Sequence, residues 1–257
     1  MSVPSSVAAQ AVGIAGAPRI QLFGSFRLTV DGSAVPLALG VQRLLAALAL
    51  RERMSRARLS AMLWPRTTQR QSQANLRKAF WRLRAALPAQ ALVVGDGQGL
   101  TLVPGVGSDV GVLVSAVRQR LAPPDDGRAG PADVAGGVPG AAALAELVHP
   151  EAVELLPDWD DPWLDVDRER LRQLRLHLLE EWAARLTEQG DYGLALEVAL
   201  CALRTDTLRE SAHRAVIRVH RAEGNVEEAR RAFATCNAVL TREIGVAPSA
   251  ATVALVP

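Results

Sequence analysis

QSQANLRKAFWRLRAAL, residues 71–87, is the stretch that decides how the rest of this chain is interpreted. At about 100° per residue, a helix places its apolar side chains on one stripe and its polar and basic side chains on the opposite side. The stripe is Leu76, Phe80, Leu83 and Leu87, and the polar side is Gln71, Asn75, Lys78 and Arg82. Such a helix either reads a major groove, whose base edges and phosphates take Arg, Lys, Asn and Gln, or is an ordinary solvated amphipathic helix.

The residues before this helix predict a small sheet and two short helices. Residues 19–37 alternate as strands around Asp31-Gly32, a strong hairpin turn. Apolar residues at helical spacing then predict a core helix over residues 40–51. A second helix, SRARLSAMLW, is expected to be capped by Ser55. The stretch 71–87 is therefore the third helix of its domain.

A second hairpin is predicted after the third helix. ALVVGDGQGLTLVP, residues 91–104, places two runs of β-forming residues around a turn at residues 95–99. Its glycines do not indicate a nucleotide site, because a GxGxxG fingerprint opens a helix and a phosphate loop ends in GK[ST]. A sheet, three helices and a terminal hairpin predict a winged helix, with the third helix as the recognition helix.

Charge separates the chain into a basic part and an acidic part. Residues 1–108 carry 13 Arg and Lys against 3 Asp and Glu, and residues 109–257 carry 16 against 24, so +10 and −8 give the overall +2. A basic domain with a basic third helix favours binding to DNA. Lys78 is the only lysine, so genome composition also contributes to the arginine excess.

Several other classes of protein are disfavoured. No run approaches the roughly 20 apolar residues that a membrane span needs, and residues 1–17 are expected to be a disordered leader rather than a signal peptide. Cys201 and Cys236 lack metal-ligand or CxxC spacing and are predicted to be reduced core thiols of a cytoplasmic protein.

No reaction centre or metal site is predicted. The histidines have no acidic partners at metal-ligand spacing, and no catalytic triad or carboxylate pair can be assigned. Asp158, Asp160 and Asp161 resemble the start of a calcium loop, but Pro162 and Trp163 stand where a ligand and a glycine are needed. We instead expect Trp159 and Trp163 to be core residues on an irregular connection. The chain is thus not expected to be an enzyme or to need a cofactor.

The carboxy-terminal part contains an internal repeat. GDYGLALE begins at Gly190 and GNVEEARR begins at Gly224, 34 residues later, and the same offset relates Ala195 to Ala229. This is the period of tetratricopeptide helix pairs. The expected helices are residues 165–189, 191–204, 208–223 and 225–243. A degenerate first repeat is expected within residues 109–156, interrupted by a mobile loop at residues 123–140.

The chain resembles the Streptomyces antibiotic regulatory protein (SARP) family of transcriptional regulators. The segments that carry the resemblance are LALGVQRLLAALAL, SRARLSAMLW, ANLRKAFWRLRAAL, LLPDWDDPWLDVDRERLRQLRLHLLE, LRESAHRAVIRVHRAEGN and REIGVAPS. Asp206-Thr207 departs from the Asp-Pro common in the family, and Phe233 from its tyrosine. The resemblance implies a response-regulator-type winged helix over residues 18–108, followed over residues 109–257 by a tetratricopeptide-like bacterial transcriptional activator domain.

The resemblance further implies a cytoplasmic activator that binds direct repeats of double-stranded DNA near a promoter and recruits RNA polymerase. The predicted DNA contacts are Ser55, Arg56, Gln71, Asn75, Arg77, Lys78, Arg82, Arg84, Gly97 and Gln98. The predicted RNA polymerase contacts, in the connection of residues 64–70, are Arg66, Thr67, Thr68 and Arg70. The main alternative is a tetratricopeptide-type interaction adaptor whose winged helix does not read DNA, and a homodimer through the repeats stays open.

Overall fold

A computed structural model of the chain describes residues 16–97, 99–121, 148 and 154–256. The expected loop at 123–140 and nearly all of the expected leader lie outside these residues, as does most of the proposed degenerate repeat. The protein is mainly helical with a small β part near its amino terminus, as predicted. It forms two compact units, the first ending at Gly111 and the second beginning at Val112.

The main sheet of the first unit has four short strands, β1 (Arg19–Gln21), β2 (Arg27–Val30), β3 (Ser33–Ala34) and β6 (Gly107–Ser108). Their order in the sheet is β3-β2-β1-β6. Between β2 and β3, Asp31 has φ 50° and Gly32 has φ 75°. Two consecutive positive φ angles define the tight hairpin turn that Asp-Gly favours, which confirms the predicted turn. Strand β6 was not predicted, because two residues carry no alternation pattern.

Three helices follow β3, in the order that the sequence predicts. They are α1 (Leu39–Leu50), α2 (Arg56–Leu63) and α3 (Gln69–Ala86). Ser55 caps α2 as predicted, since its hydroxyl oxygen accepts a hydrogen bond from the Arg58 N–H at 3.2 Å. Of the predicted stripe on α3, Leu76 and Leu83 are buried. Phe80 and Leu87 are only half-buried.

The second hairpin packs against the connection between α1 and α2. Its strands are β4 (Val93–Asp96) and β5 (Gly99–Leu102), which pair antiparallel. Leu100 also pairs with Met54, with backbone hydrogen bonds of 3.0 and 2.7 Å in the two directions. This pairing explains Gly99, because a Cβ there would lie only 2.7 Å from the Met54 carbonyl oxygen. The hairpin is therefore fixed to the helices at its second strand.

A buried carboxylate near the end of the first unit forms hydrogen bonds with residues near its beginning. Asp109 is the first residue of α4 (Asp109–Leu121). One of its carboxylate oxygens accepts hydrogen bonds from the backbone N–H groups of Leu22 and Phe23, both at 2.8 Å. A buried carboxylate must be satisfied in this way, because an unpaired buried charge is very unfavourable.

The second unit is a succession of helices that pack against their neighbours. They are α5 (Asp165–Gln189), α6 (Tyr192–Thr205), α7 (Glu210–Glu223), α8 (Val226–Ile244) and α9 (Ala250–Val253). Gly190 and Gly224 end α5 and α7 with positive φ angles, the conformation in which glycine commonly follows the end of a helix. Ala195 and Ala229 are fully buried, so the 34-residue offset relates two close helix contacts. Helix α7 begins at Glu210, two residues later than predicted.

An irregular connection, residues 154–164, precedes α5 and ends in a short 3-10 turn, Pro162–Leu164. The expectation of two core tryptophans there was wrong, since Trp159 and Trp163 are half-buried. The Trp163 indole N–H instead donates to Asp161, at 3.3 Å. The fully buried tryptophan of the unit is Trp182, on α5.

The connection is held to α5 by Arg168. Its guanidinium donates to the carbonyl oxygens of Leu155 at 3.0 Å and of Leu156 and Trp159, both at 2.6 Å. Leu156 has φ 46°, an unusual angle for a non-glycine residue. The side chain of Arg168 thus substitutes for the backbone partners that an irregular segment lacks.

Candidate nucleic-acid interface

Helix α3 begins with a capping box that involves two of the predicted contact residues. Thr68 accepts from the Gln71 N–H at 3.3 Å, and the Gln71 side-chain oxygen accepts from the Thr68 N–H at 3.2 Å. The Thr68 hydroxyl donates to that same oxygen at 3.1 Å. The helix therefore starts at Gln69, two residues before the predicted stretch 71–87, because Thr68 supplies the cap.

Three of the predicted contact residues are placed differently from expectation. Arg70, expected in the connection, lies in the first turn of α3. The side-chain oxygen of Gln71, expected to face a groove, is used by the cap. Asn75, from the same predicted face, is half-buried, whereas Lys78 and Arg82 are exposed. Gln71, Lys78 and Arg82 thus form the exposed part of the predicted face, and of these three only Gln71 has its side-chain oxygen used by the cap.

Helix α3 presents an uncompensated positive charge. It contains four arginines and one lysine but no acidic residue. All five cations are exposed: Arg70, Arg77, Lys78, Arg82 and Arg84. Within the described ranges 16–97, 99–121 and 154–256, none of the five forms an ion pair. Lys78 and Arg82 are four residues apart, a like-charge spacing that destabilises a helix by about 0.2–0.5 kcal/mol. An anion against this surface would relieve that repulsion.

Arg56 lies where α2, α3 and the second hairpin meet. Its guanidinium carbon is 5.5 Å from the centre of the Phe80 ring, within cation–π range. A Cβ on Gly95 of the hairpin would lie 3.4 Å from an Arg56 guanidinium nitrogen. Arg56 therefore covers the half-buried ring of Phe80 and lies close to the hairpin. The predicted contact residue Ser55 is exposed beside it, at the helix cap.

The tip of the second hairpin has a neutralised acid. Asp96 forms an ion pair with Arg53 at 3.0 Å and accepts from the Gly99 N–H at 3.0 Å. Gly97 is exposed, and among the described residues no atom beyond its immediate chain neighbours lies within 4 Å of where its Cβ would be. Gln98, the other predicted contact of this turn, lies outside the described residues. The pairing with Arg53 lowers the repulsion that Asp96 would exert on a nearby phosphate.

The connection between α2 and α3 is short and locally bonded. The Thr67 hydroxyl donates to the Trp64 carbonyl oxygen at 2.9 Å. Arg66 and Thr67 are exposed, as is Thr68 at the helix cap. Trp64 is half-buried, and its ring lies near Gly40 of α1. The predicted polymerase contacts therefore form two groups, Arg66 to Thr68 in the connection and Arg70 on α3.

One exposed residue of α3 was missed by the sequence analysis. Trp81 is 71 % exposed, the largest apolar side chain on the accessible surface of this helix. The signal was present, since Trp81 lies about 140–160° around the helix from Leu76 and Leu83. Trp81 belongs to neither the apolar stripe nor the polar side that was predicted for this helix.

The shifted pKa values in the second unit have structural causes. Hydrogen bonds from Arg172 and then Gln173 lower the pKa of Glu169 to about 2. Burial raises the pKa of the Cys236 thiol to about 11, so it stays protonated and unreactive at neutral pH. Among the described residues, no group of three or more His, Cys, Asp or Glu side chains could hold a metal ion.

Comparison with known proteins supports a regulatory function. Residues 140–256 match the bacterial transcriptional activator domain. Over 93 % of this chain and 64 % of the other, the fold is similar to a solved structure of Mycobacterium tuberculosis EmbR in complex with low affinity phosphopeptide, with a TM-score of 0.64 and 16 % sequence identity. No curated protein matches the chain.

These similarities differ in what they establish. The identity of 16 % shows a shared fold alone, and the chain spans 64 % of the length of that structure. The domain match associates residues 140–256 with transcriptional activation rather than with catalysis. None of the described helices is both long enough and apolar enough to cross a membrane.

Proposed function

We propose that this protein is a cytoplasmic, SARP-type transcriptional activator that binds double-stranded DNA sequence-specifically and recruits RNA polymerase. In this proposal the first unit is a response-regulator-type winged helix, with α3 in the major groove and the second hairpin beside it. The second unit is a tetratricopeptide-like activator domain. The DNA site consists of direct repeats near a promoter, and a homodimer through the helical repeats could occupy them.

The exposed cations of α3 carry the proposal. Five positive side chains on 18 residues, with no acid among them, form a surface suited to a phosphate backbone. The first turn of α3 has an arginine where the helix dipole favours an acid. A sequence that departs from a local rule in this way marks a functional surface.

The salt dependence of binding tests this surface. Each phosphate contact contributes about 0.9 to the slope of log K against log salt. We expect Arg77→Ala combined with Arg84→Ala to lower the slope by about 1.8 for duplex DNA, measured by fluorescence anisotropy. Arg230→Ala, an exposed arginine on α8, is the matched control and should leave the slope unchanged. Equal slopes for wild type and the double variant would exclude α3 as the phosphate-binding surface.

The base-reading part of the proposal concerns Arg82. If Arg82 donates to a guanine, Arg82→Ala should weaken specific binding by about 1–3 kcal/mol and relax the preference at one base position. Selection of duplexes from genomic fragments by wild type and variant measures both quantities. If the full chain enriches no duplex at all, the interaction-adaptor alternative replaces DNA binding.

The polymerase contact is proposed for the connection between α2 and α3. Arg66 and Thr67 are exposed there, beside the helix that would enter the groove. Arg66→Ala with Thr67→Ala should lower transcription in a purified system and leave DNA affinity nearly intact. Thr68 is replaced only by Ser in this test, because loss of the cap would cost about 1 kcal/mol and disturb α3 itself.

Arg70 needs a separate measurement. It lies on α3 seven residues before Arg77, so both arginines share one side of the helix. Arg70→Ala should lower transcription without changing the salt slope if Arg70 meets RNA polymerase. A slope that falls by about 0.9 would instead assign Arg70 to a phosphate.

A further inference from the structure

We infer that Trp81 contacts the 5-methyl group of a thymine in the major groove and so determines part of the base preference. The inference rests on the proposed function, since it names what the accessible surface of α3 recognises besides phosphate and polar base edges. It starts from one observation, the 71 % exposure of this side chain. Tryptophan is highly buried on average, so an indole left in water in the free protein is unusual.

The position of Trp81 on α3 argues for DNA. In a helix, the surface neighbours of a residue lie three and four positions away. For Trp81 these are Arg77, Lys78 and Arg84, all exposed, and the alanine at position 85. An apolar ring surrounded by cations within one turn fits a ligand that combines an apolar group with dense negative charge. Duplex DNA has this combination.

The groove offers one apolar group to such a ring. Bases in a duplex are stacked, so their faces are not accessible to a side chain on the groove floor. Of the base edges in the major groove, only thymine presents an apolar substituent, its 5-methyl group. Ala74 and Ala85 flank Trp81 along the exposed surface of the helix. Their small side chains let the helix approach closely enough for the ring to reach the methyl group.

Uracil replacement tests the contact, because uracil differs from thymine in a duplex by this methyl group alone. The wild-type full chain first selects its preferred duplex from a randomised pool. Each thymine of that duplex is then replaced singly by uracil, and the affinity of the wild-type chain is measured. Burial of one methyl group corresponds to about a fourfold change in Kd. We expect a loss of that size at one thymine or more.

The same duplexes are then measured with Trp81→Ala and Trp81→Phe. Trp81→Ala should bind the thymine duplex about tenfold more weakly and should no longer distinguish uracil from thymine at the sensitive position. Trp81→Phe should keep part of the distinction. Lys78→Ala is the matched control from the same helix turn and should lose affinity equally for both duplexes. Circular dichroism melting checks that the variants fold.

The possible results separate the inference from the proposed function. If no duplex is enriched, the proposed function fails and the inference fails with it. If a duplex is enriched but no uracil replacement matters, or if Trp81→Ala keeps the wild-type ratio, the inference alone is overturned. If Trp81→Ala lowers transcription with unchanged DNA affinity, Trp81 docks a protein and the inference is also overturned.

Discussion

Replacing Arg168 by alanine should lower the free energy of unfolding of the second unit more than replacing any other arginine on the surface of α5. The substitution removes three hydrogen bonds from a charged donor to the carbonyl oxygens of Leu155, Leu156 and Trp159. A hydrogen bond to a charged group contributes about 1.5–3 kcal/mol. The Arg168 side chain is 20 % exposed, so water can re-bond part of what is lost. We expect a destabilisation of about 3 kcal/mol, below the sum of the three bonds.

Urea unfolding and thermal melting measure this effect. A loss of about 3 kcal/mol corresponds to a fall in Tm of roughly 6–12 °C for a unit of this size. Arg168→Lys should recover only part of the stability, since one ammonium group cannot reproduce the fork of a guanidinium.

Arg172 provides the matched control for Arg168. It lies one turn further along α5, with its ion pairs to Glu169 and Asp206 near the surface. Exposed pairs of this kind contribute about 0–1 kcal/mol. Should Arg168→Ala cost no more than Arg172→Ala, the connection is not held by Arg168, and our account of residues 154–164 is wrong.

Two further predictions concern a carboxylate and a glycine. Burial raises the pKa of Glu210, but hydrogen bonds from Ser249 and Thr252 outweigh it, so the net pKa is lowered. Its stabilising effect is therefore full above the usual pKa of 4.5 and is lost as the pH falls through the folded-state value. Glu210→Gln should reduce the loss of stability at acid pH, measured as the free energy of unfolding against pH. An unchanged pH dependence would show that the Glu210 carboxylate does not cause this loss. Gly99→Ala should cost about 1–3 kcal/mol through its clash with Met54, whereas Gly97→Ala in the same turn should cost far less. Equal melting temperatures for the two variants would contradict the close approach.

Features that depend on neighbouring residues could be predicted from the sequence, whereas contacts between distant residues could not. The Asp31-Gly32 turn, the Ser55 cap and the 34-residue offset each depend on a few neighbouring residues with one dominant conformation. Strand β6 depends on pairing with a strand almost ninety positions earlier, and two residues hold no periodic signal. The burial of the tryptophans was mispredicted for the same reason, since burial depends on tertiary neighbours that local sequence does not contain.

The candidate interface likewise contains features that the sequence predicted and features that it did not. Helix spacing predicted that Lys78 and Arg82 would be exposed together, because the opposite side of α3 is apolar. It could not predict that Gln71 would be used by the cap, since a glutamine near a helix start suits both the cap and a groove. Trp81 was overlooked because aromatic residues are usually core, an average that does not apply to this position.

The two hydrogen bonds that Asp109 accepts from Leu22 and Phe23 have a consequence for how the protein is made. The two ends of this contact are 87 and 86 residues apart, so it forms only after nearly the whole first unit has left the ribosome. A nascent chain that stops at Ser108 would leave two buried backbone N–H groups without their acceptor. The first unit would then complete its fold while the second unit is still being synthesised, and a cut placed one residue too early would release an unfinished first unit.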